Sequence, residues 1–192
     1  MVDIEQMFYQ VKVKEEDQDF LRFLWWPSGE LTTEPQEYCM TVHLLGAGSS
    51  PGCSNYALKR TADDHENEFG TETADTLRRN FYVNDALKSV ATEEDAVDLV
   101  RNVKGMCRKG GFNLTKFVCN SVKVIHSIPF EDRAQDIKEL ELGQDKLPIE
   151  RTLGVHWCVQ SDSLNFRIEL KDQPCSCCPC WKTNITRYLP WN

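Results

Sequence analysis

The chain has 192 residues, 41% of them hydrophobic and 27% charged, enough to bury a real core as one medium domain or two very small ones, which argues against wholesale disorder. Its 22 Lys and Arg against 30 Asp and Glu give a formal net charge of −8, so bulk positive charge does not tie it to nucleic acid. No apolar run approaches the roughly 20 residues of a membrane span, and the acidic opening Met1-Val2-Asp3-Ile4-Glu5 is no secretory signal. The expectation is an intracellular chain, cytoplasmic or nuclear, not secreted and with no membrane partner.

In chain order, residues 3–13 mix helical and strand spacing, with Ile4, Met7, Phe8, Val11 and Val13 apolar. The β-prone run 20–26 is followed by the turn Pro27-Ser28-Gly29-Glu30 and is expected to pair antiparallel with 38–45. The sharp connection at 46–51 has N-cap chemistry and should open a helix from about Pro51 to near Asp64. Residues 81–90 read as a hairpin presenting Asn84-Asp85 at its tip. Thr92-Glu93-Glu94-Asp95 opens the clearest helix, striped by Ala96, Leu99, Val100, Val103, Met106 and Cys107 and ended by Gly110-Gly111. That stripe is expected to pack on the back of the sheet that holds Asp3 and Asp85. Residues 112–119 read as one strand, 131–145 as a looser charged segment, and 153–159 with 164–170 as a final hairpin turning at 161–163. Interleaved helices with tight hairpins point to an antiparallel α+β fold.

Between Leu99 and Phe130 there is no acid, while Arg101, Lys104, Arg108, Lys109, Lys116 and Lys123 fall inside. This is either a solvated helix face plus a loop or a local phosphate-contacting strip, and composition favours the first. Five cysteines, Cys39, Cys53, Cys107, Cys119 and Cys158, are scattered among apolar neighbours and read as reduced core thiols. Two acids stand in apolar β-type contexts: Asp3 beside Ile4, and Asp85 with Asn84. Singly each is an ordinary turn acid or N-cap. On neighbouring strands they could hold a divalent cation, because magnesium favours a few carboxylates completed by substrate phosphates.

The order Val2-Asp3-Ile4-Glu5-Gln6-Met7-Phe8, Leu45-Gly46-Ala47-Gly48-Ser49-Ser50-Pro51 and Phe81-Tyr82-Val83-Asn84-Asp85, continued by Lys109-Gly110-Gly111-Phe112 and Leu153-Gly154-Val155-His156-Trp157, resembles the palm of a reverse transcriptase. The phrases Arg22-Phe23-Leu24-Trp25-Trp26, Leu87-Lys88-Ser89 and Leu114-Thr115-Lys116 make it similar to the BEL/Pao class of LTR retrotransposon polyproteins over residues 2–171. The resemblance implies a palm-like antiparallel sheet backed by helices. It makes Asp3 the first metal-binding aspartate with the Ile4 backbone carbonyl as a further ligand. Phe8 becomes the residue that excludes a ribose 2′-hydroxyl. Gly46, Ser50 and Pro51 lie in the template- and nucleotide-positioning turn. Asn84 and Asp85 fill the paired-acid positions of the Tyr-x-Asp-Asp box, and Lys116 lies near the leaving pyrophosphate. Leu153, Gly154 and Trp157 belong to a hairpin near 152–170 that grips the primer end. The cofactor implied is Mg²⁺, or Mn²⁺. The partners implied are an RNA or DNA template–primer and deoxynucleotides.

The same comparison marks three departures. Asn84 stands where the family has an aspartate, and an amide oxygen brings no negative charge to a pair of dications. The family's fingers precede the first motif, and its thumb and RNase H follow residue 171, so the chain is expected to be a truncated copy. The tail 172–192, with Cys175, Cys177, Cys178 and Cys180, three prolines and two tryptophans, departs from the family. It is expected to be unstructured and to hold no zinc, because no Cys-x-x-Cys pair is matched by a second and no histidine completes a set; a frameshifted or mis-spliced end accounts for it. The expected function is that of a retrotransposon RNA-directed DNA polymerase, inactive as written. The alternative is a non-catalytic remnant of the palm that binds nucleic acid or protein, and a small zinc protein is the weakest reading.

Overall fold

The computed structural model describes residues 1–142, 145–152 and 155–165. Its elements in chain order are β1 (Val2–Ile4), α1 (Glu15–Gln18), β2 (Arg22–Trp25), β3 (Gln36–Cys39), α2 (Ser50–Phe69), α3 (Thr71–Arg79), β4 (Phe81–Tyr82), β5 (Asp85–Ala86), α4 (Glu93–Lys109), β6 (Leu114–Thr115), α5 (Val122–Ser127), α6 (Gln135–Lys138), β7 (Ile149–Thr152), β8 (Val155–Cys158) and β9 (Ser163–Asn165). The strands pair antiparallel throughout, so the fold is α+β. The chain divides into two compact units, Met1–Phe117 and Val118–Asn192.

In the first unit a four-stranded sheet runs in the order β4-β5-β1-β6. Strand alternation sorts its residues by face. Val2, Ile4, Ala86 and Leu114 are all buried, whereas the row across the other face is Tyr82, Asp85, Asp3 and Thr115. A one-residue slip would bury the two acids and expose the apolar set, so the register is strongly specified.

Three helices supply most of the rest of this unit's core, joined by Met7, Phe112 and Phe117. The α4 helix starts at Thr92, whose side chain accepts from the Asp95 N–H at 3.1 Å, and Val103, Met106 and Cys107 are buried. Its close helical neighbours are α2 and α3. Two glycines allow that approach: a Cβ on Gly105 would meet the Phe69 ring at 2.7 Å, and one on Gly110 would meet Thr61 Oγ1 at 2.1 Å. Burial pushes the Cys107 thiol up to about 12.

The expected pairing of 20–26 with 38–45 is present as β2 and β3, in the register Arg22↔Cys39 to Trp25↔Gln36. Every residue of both strands is exposed. Cys39 and Cys53 are exposed too, so of the five scattered cysteines only Cys107 is a buried core thiol. The helix expected near Asp64 runs on to Phe69, because Gly70, at φ +86°, is the first residue suited to end it. The α3 helix after it was not anticipated.

The expected strand 112–119 shrinks to Leu114–Thr115, since Lys116 adopts φ +55° and leaves the extended path. In the second unit β8 lies between β7 and β9. The predicted β8–β9 pairing is present over His156↔Asn165 to Cys158↔Ser163; residues 166–170 lie outside the described residues. The β7 strand is an addition, as are the short helices α5 and α6. Among the described residues no helix is long and apolar enough to cross a membrane.

Candidate metal centre

The centre of the four-stranded sheet carries the chain's most distinctive charge arrangement. Asp3 on β1 is the direct Cα partner of Asp85 on β5 and, on its other side, of Thr115 on β6. Directly opposed like charges destabilise a strand pair, so this register needs local compensation. Two side chains provide it. The Asn84 Nδ2 donates to Asp3 Oδ1 at 2.8 Å and lies 3.5 Å from Asp85 Oδ1, so one amide spans both carboxylates. The Lys116 ammonium donates to Asp3 Oδ2 at 2.5 Å. Both oxygens of Asp3 are therefore engaged by donors of the chain itself.

Each partner is aimed by an unusual piece of backbone. The loop joining β4 to β5 is Val83-Asn84, and Val83 has φ +57°, a position in two-residue hairpins that glycine usually takes. A β-branched residue there is a genuine outlier. It lets the Asn84 carbonyl accept from the Ile4 N–H at 2.8 Å while its amide faces Asp3. The predicted tip Asn84-Asp85 is thus shifted by one residue: Val83 and Asn84 make the turn and Asp85 opens β5. Lys116 follows Thr115, so in a regular strand it would point to the buried face; its positive φ turns it back toward Asp3. Gln6, just after β1, has φ +48°. Three of the described non-glycine residues with positive φ thus lie in segments adjoining this sheet, at roughly 1–3 kcal/mol each.

The electrostatics follow from this placement. The Asp85 carboxyl is pushed above its ordinary range, first by burial and then by the charge of Asp3, with Lys116 opposing. The Lys116 ammonium is held above its ordinary range, chiefly by its bond to Asp3. The Lys116 side chain is 66% exposed and that of Asp3 only 16%, so the carboxylate is fixed and the lysine is on the solvent side.

The remaining expected site residues are placed as follows. Ile4 is 1% exposed, its side chain in the core. Phe8 is half-buried on the Met7–Gln10 turn that follows β1, and α2 packs against that turn. Gly46 has φ +94° and Pro51 is in the first turn of α2. Ser50 is fully buried, and its hydroxyl donates to the Leu44 carbonyl at 2.7 Å, so it closes the loop onto itself. No described hydrogen bond or ion pair joins Gly46, Ser50 or Pro51 to Asp3 or Asp85. Trp157, in the second unit, is buried and donates through Nε1 to Asp162 Oδ1 at 2.9 Å. Leu153, Gly154 and the tail cysteines lie outside the described residues.

Of the six cations in the acid-free stretch, three have described ion pairs: Arg101 with Asp98 at 3.1 Å, Lys109 with Glu68 at 2.9 Å and Lys116 with Asp3. One contact at the site had no sequence signal, the Asn113 Nδ2 bond to Glu5 Oε2 at 2.8 Å.

The donor chemistry suits a hard divalent cation: two carboxylates on adjacent strands and an amide oxygen available if Asn84 turns over, a set that water or phosphate oxygens would complete. Among the described residues no group of three or more His, Cys, Asp or Glu gathers into a fuller metal cage. Two carboxylates fit one divalent cation and fall short of the negative charge a close pair of dications requires. No protein-family model matches the chain, and no curated protein matches it.

Proposed function

We propose that residues 2–171 are the palm of a reverse transcriptase of the BEL/Pao class of LTR retrotransposons, in a degenerate copy whose nucleotidyl-transfer site is disabled at Asn84. The observation that carries this reading is the register of the first sheet. Asp3, on a central strand, lies directly opposite Asp85, the acid that closes the Tyr82-Val83-Asn84-Asp85 hairpin. Like charges opposed in this way weaken a sheet, so the arrangement calls for a role other than stability.

In this reading Asp3 and Asp85 would hold Mg²⁺ or Mn²⁺, which when bound neutralises charge on a phosphoryl group and activates a hydroxyl nucleophile. The protein's own share is positional. The sheet fixes the two carboxylates side by side, and the buried face beneath them keeps β1 from slipping. Phe8, close after Asp3 on a tight turn, supplies the bulk that would reject a ribose 2′-hydroxyl. Lys116 brings a positive charge to the edge where a departing pyrophosphate would lie. Asn84 keeps the shape of the missing aspartate without its charge. Losing one carboxylate from such a site costs on the order of a thousandfold in rate.

The second reading, a non-catalytic remnant that binds a template–primer or a protein, is favoured by one observation: both Asp3 oxygens already have partners. A graft separates the two. Residues 2–171 replace the palm of an active BEL/Pao polymerase, and primer extension is followed on an RNA template with Mg²⁺. The sequence as written should extend about a thousandfold more slowly than its Asn84→Asp variant. In the Asn84→Asp background, Asp3→Ala should abolish extension and Phe8→Ala should chiefly relax discrimination against ribonucleotides. Template–primer binding with no gain from Asn84→Asp would select the remnant reading. Full extension by the sequence as written would overturn the assignment of a disabled site.

A further inference from the structure

We propose that Lys116 is the built-in counter-ion of the Asp3–Asp85 pair, and that a divalent cation binds by taking its place, so that Lys116 sets how tightly the site holds metal. The inference deepens the metal-site reading above and rests on it.

The argument begins with occupancy. The Asp3 carboxylate offers two oxygens on the polar face of the sheet, and each has a donor: Asn84 Nδ2 on Oδ1 and Lys116 Nζ on Oδ2. A cation cannot reach Asp3 at full strength unless one donor leaves. The two are not equally free to go. Asn84 sits in a two-residue turn, with its carbonyl held by the Ile4 N–H and its amide spanning both acids. Lys116 carries its ammonium on a flexible four-carbon stem that is 66% exposed, so it can swing into water by side-chain rotation alone. Its ammonium is a compact point charge, the nearest protein equivalent of the ion it would yield to.

The surrounding charges make Lys116 the natural competitor. Asp3 and Asp85 face it directly, and Glu5 adds to its field, although Glu5 is itself held by Asn113. Without Lys116, two opposed carboxylates would be left with only a neutral amide between them. The metal-free sheet therefore relies on Lys116, and the metal-bound sheet would not.

The test uses the full chain and Mn²⁺ alone as the probe, with free Mn²⁺ measured by electron paramagnetic resonance. Lys116→Met should bind Mn²⁺ about fivefold more tightly than the unmodified chain, the size an exposed ion pair supports. Its thermal midpoint should fall in chelator and recover when Mn²⁺ is added. Lys116→Arg separates displacement from simple repulsion. It keeps the charge but grips a carboxylate with a planar two-point fork, so displacement predicts weaker Mn²⁺ binding than the unmodified chain. Equal affinity in the unmodified chain and Lys116→Met, or an Arg variant that binds as the unmodified chain does, would overturn the proposal. Mn²⁺ binding that survives Asp3→Asn unchanged, or saturable binding in neither Lys116→Met nor Asn84→Asp, would instead overturn the metal-site reading itself.

Discussion

Two charged clusters in the first unit are built from similar parts and behave differently. On the helices, one cation, Arg78, serves three acids: Asp63 at 2.7 Å, Glu66 at 2.6 Å and Asp75 at 3.3 Å. On the sheet, two acids share one cation and one amide. The guanidinium is a rigid fork, its side chain 25% exposed, and it holds α2 to α3 with each carboxylate anchored. Its bond to Glu66 is the chief cause of that carboxyl's lying below its ordinary range. The Asp3–Asp85 pair has instead a mobile partner on its open side and strained backbone at both Val83 and Lys116. The first cluster is saturated by a donor that cannot leave without loosening two helices. The second is balanced by one that can. Charge count alone would have ranked the Arg78 cluster as the more prominent feature; exchangeability of the partner ranks the sheet site first.

The contrast can be broken from the helical side. Gly110→Ala should give the largest stability loss, about 1–3 kcal/mol, because the new methyl, at the C-terminal end of α4, would sit 2.1 Å from Thr61 Oγ1 on α2. Thermal or urea denaturation measures it, and Mn²⁺ affinity should not change. A stable Gly110→Ala chain would mean that α4 and α2 pack less tightly than the geometry requires.

Arg78→Leu comes next. It should lower the thermal midpoint by a few degrees and leave Mn²⁺ affinity untouched. Because Glu66 is held below its ordinary range, the stability that Glu66 gains is present at neutral pH and lost as the pH falls through its folded value. The Leu variant should therefore show a shallower loss of stability on acidification.

The smallest effect has the opposite sign. The Asp85 carboxyl is raised by burial and by the charge of Asp3, so the folded chain holds this proton more tightly than the unfolded one does. Its contribution is favourable in acid and is lost as the pH rises through the folded value. Asp85→Asn should then melt slightly higher than the unmodified chain at pH 7, with the gain disappearing below the ordinary carboxylate range. A stabilised chain that no longer binds Mn²⁺ is the signature of an acid kept for a purpose other than folding.

How much of this was legible in the sequence depends on where the information resides. The Asp3–Asp85 juxtaposition was readable because each acid interrupts a short apolar run, and alternation then puts both on one face. The β2–β3 pairing and α4 were readable because a turn signal and an N-cap mark their ends. The α3 helix was not, since in residues 71–79 only Ala74 and Leu77 are apolar and its burial relies on Thr73 and Thr76 as well, which donate back to the Phe69 and Glu72 carbonyls. The β7 strand escaped because Ile149 is the one apolar residue in Ile149–Thr152. Lys116 is named by the resemblance, but its route to the site is not legible: a residue inside an apparent strand has no sequence signature for a left-handed φ, yet that dihedral is what delivers its ammonium to Asp3.

The measurement closest to the central claim is the Mn²⁺ dissociation constant of the unmodified chain beside Asn84→Asp and Asp3→Ala. If Asp3 and Asp85 form a metal site weakened by an amide, restoring the charge at position 84 should tighten binding by about tenfold or more, on the order of 1.4 kcal/mol, and Asp3→Ala should abolish it in either background. Equal affinity in all three proteins would contradict the account, because the carboxylates on this sheet would then have no part in holding a cation.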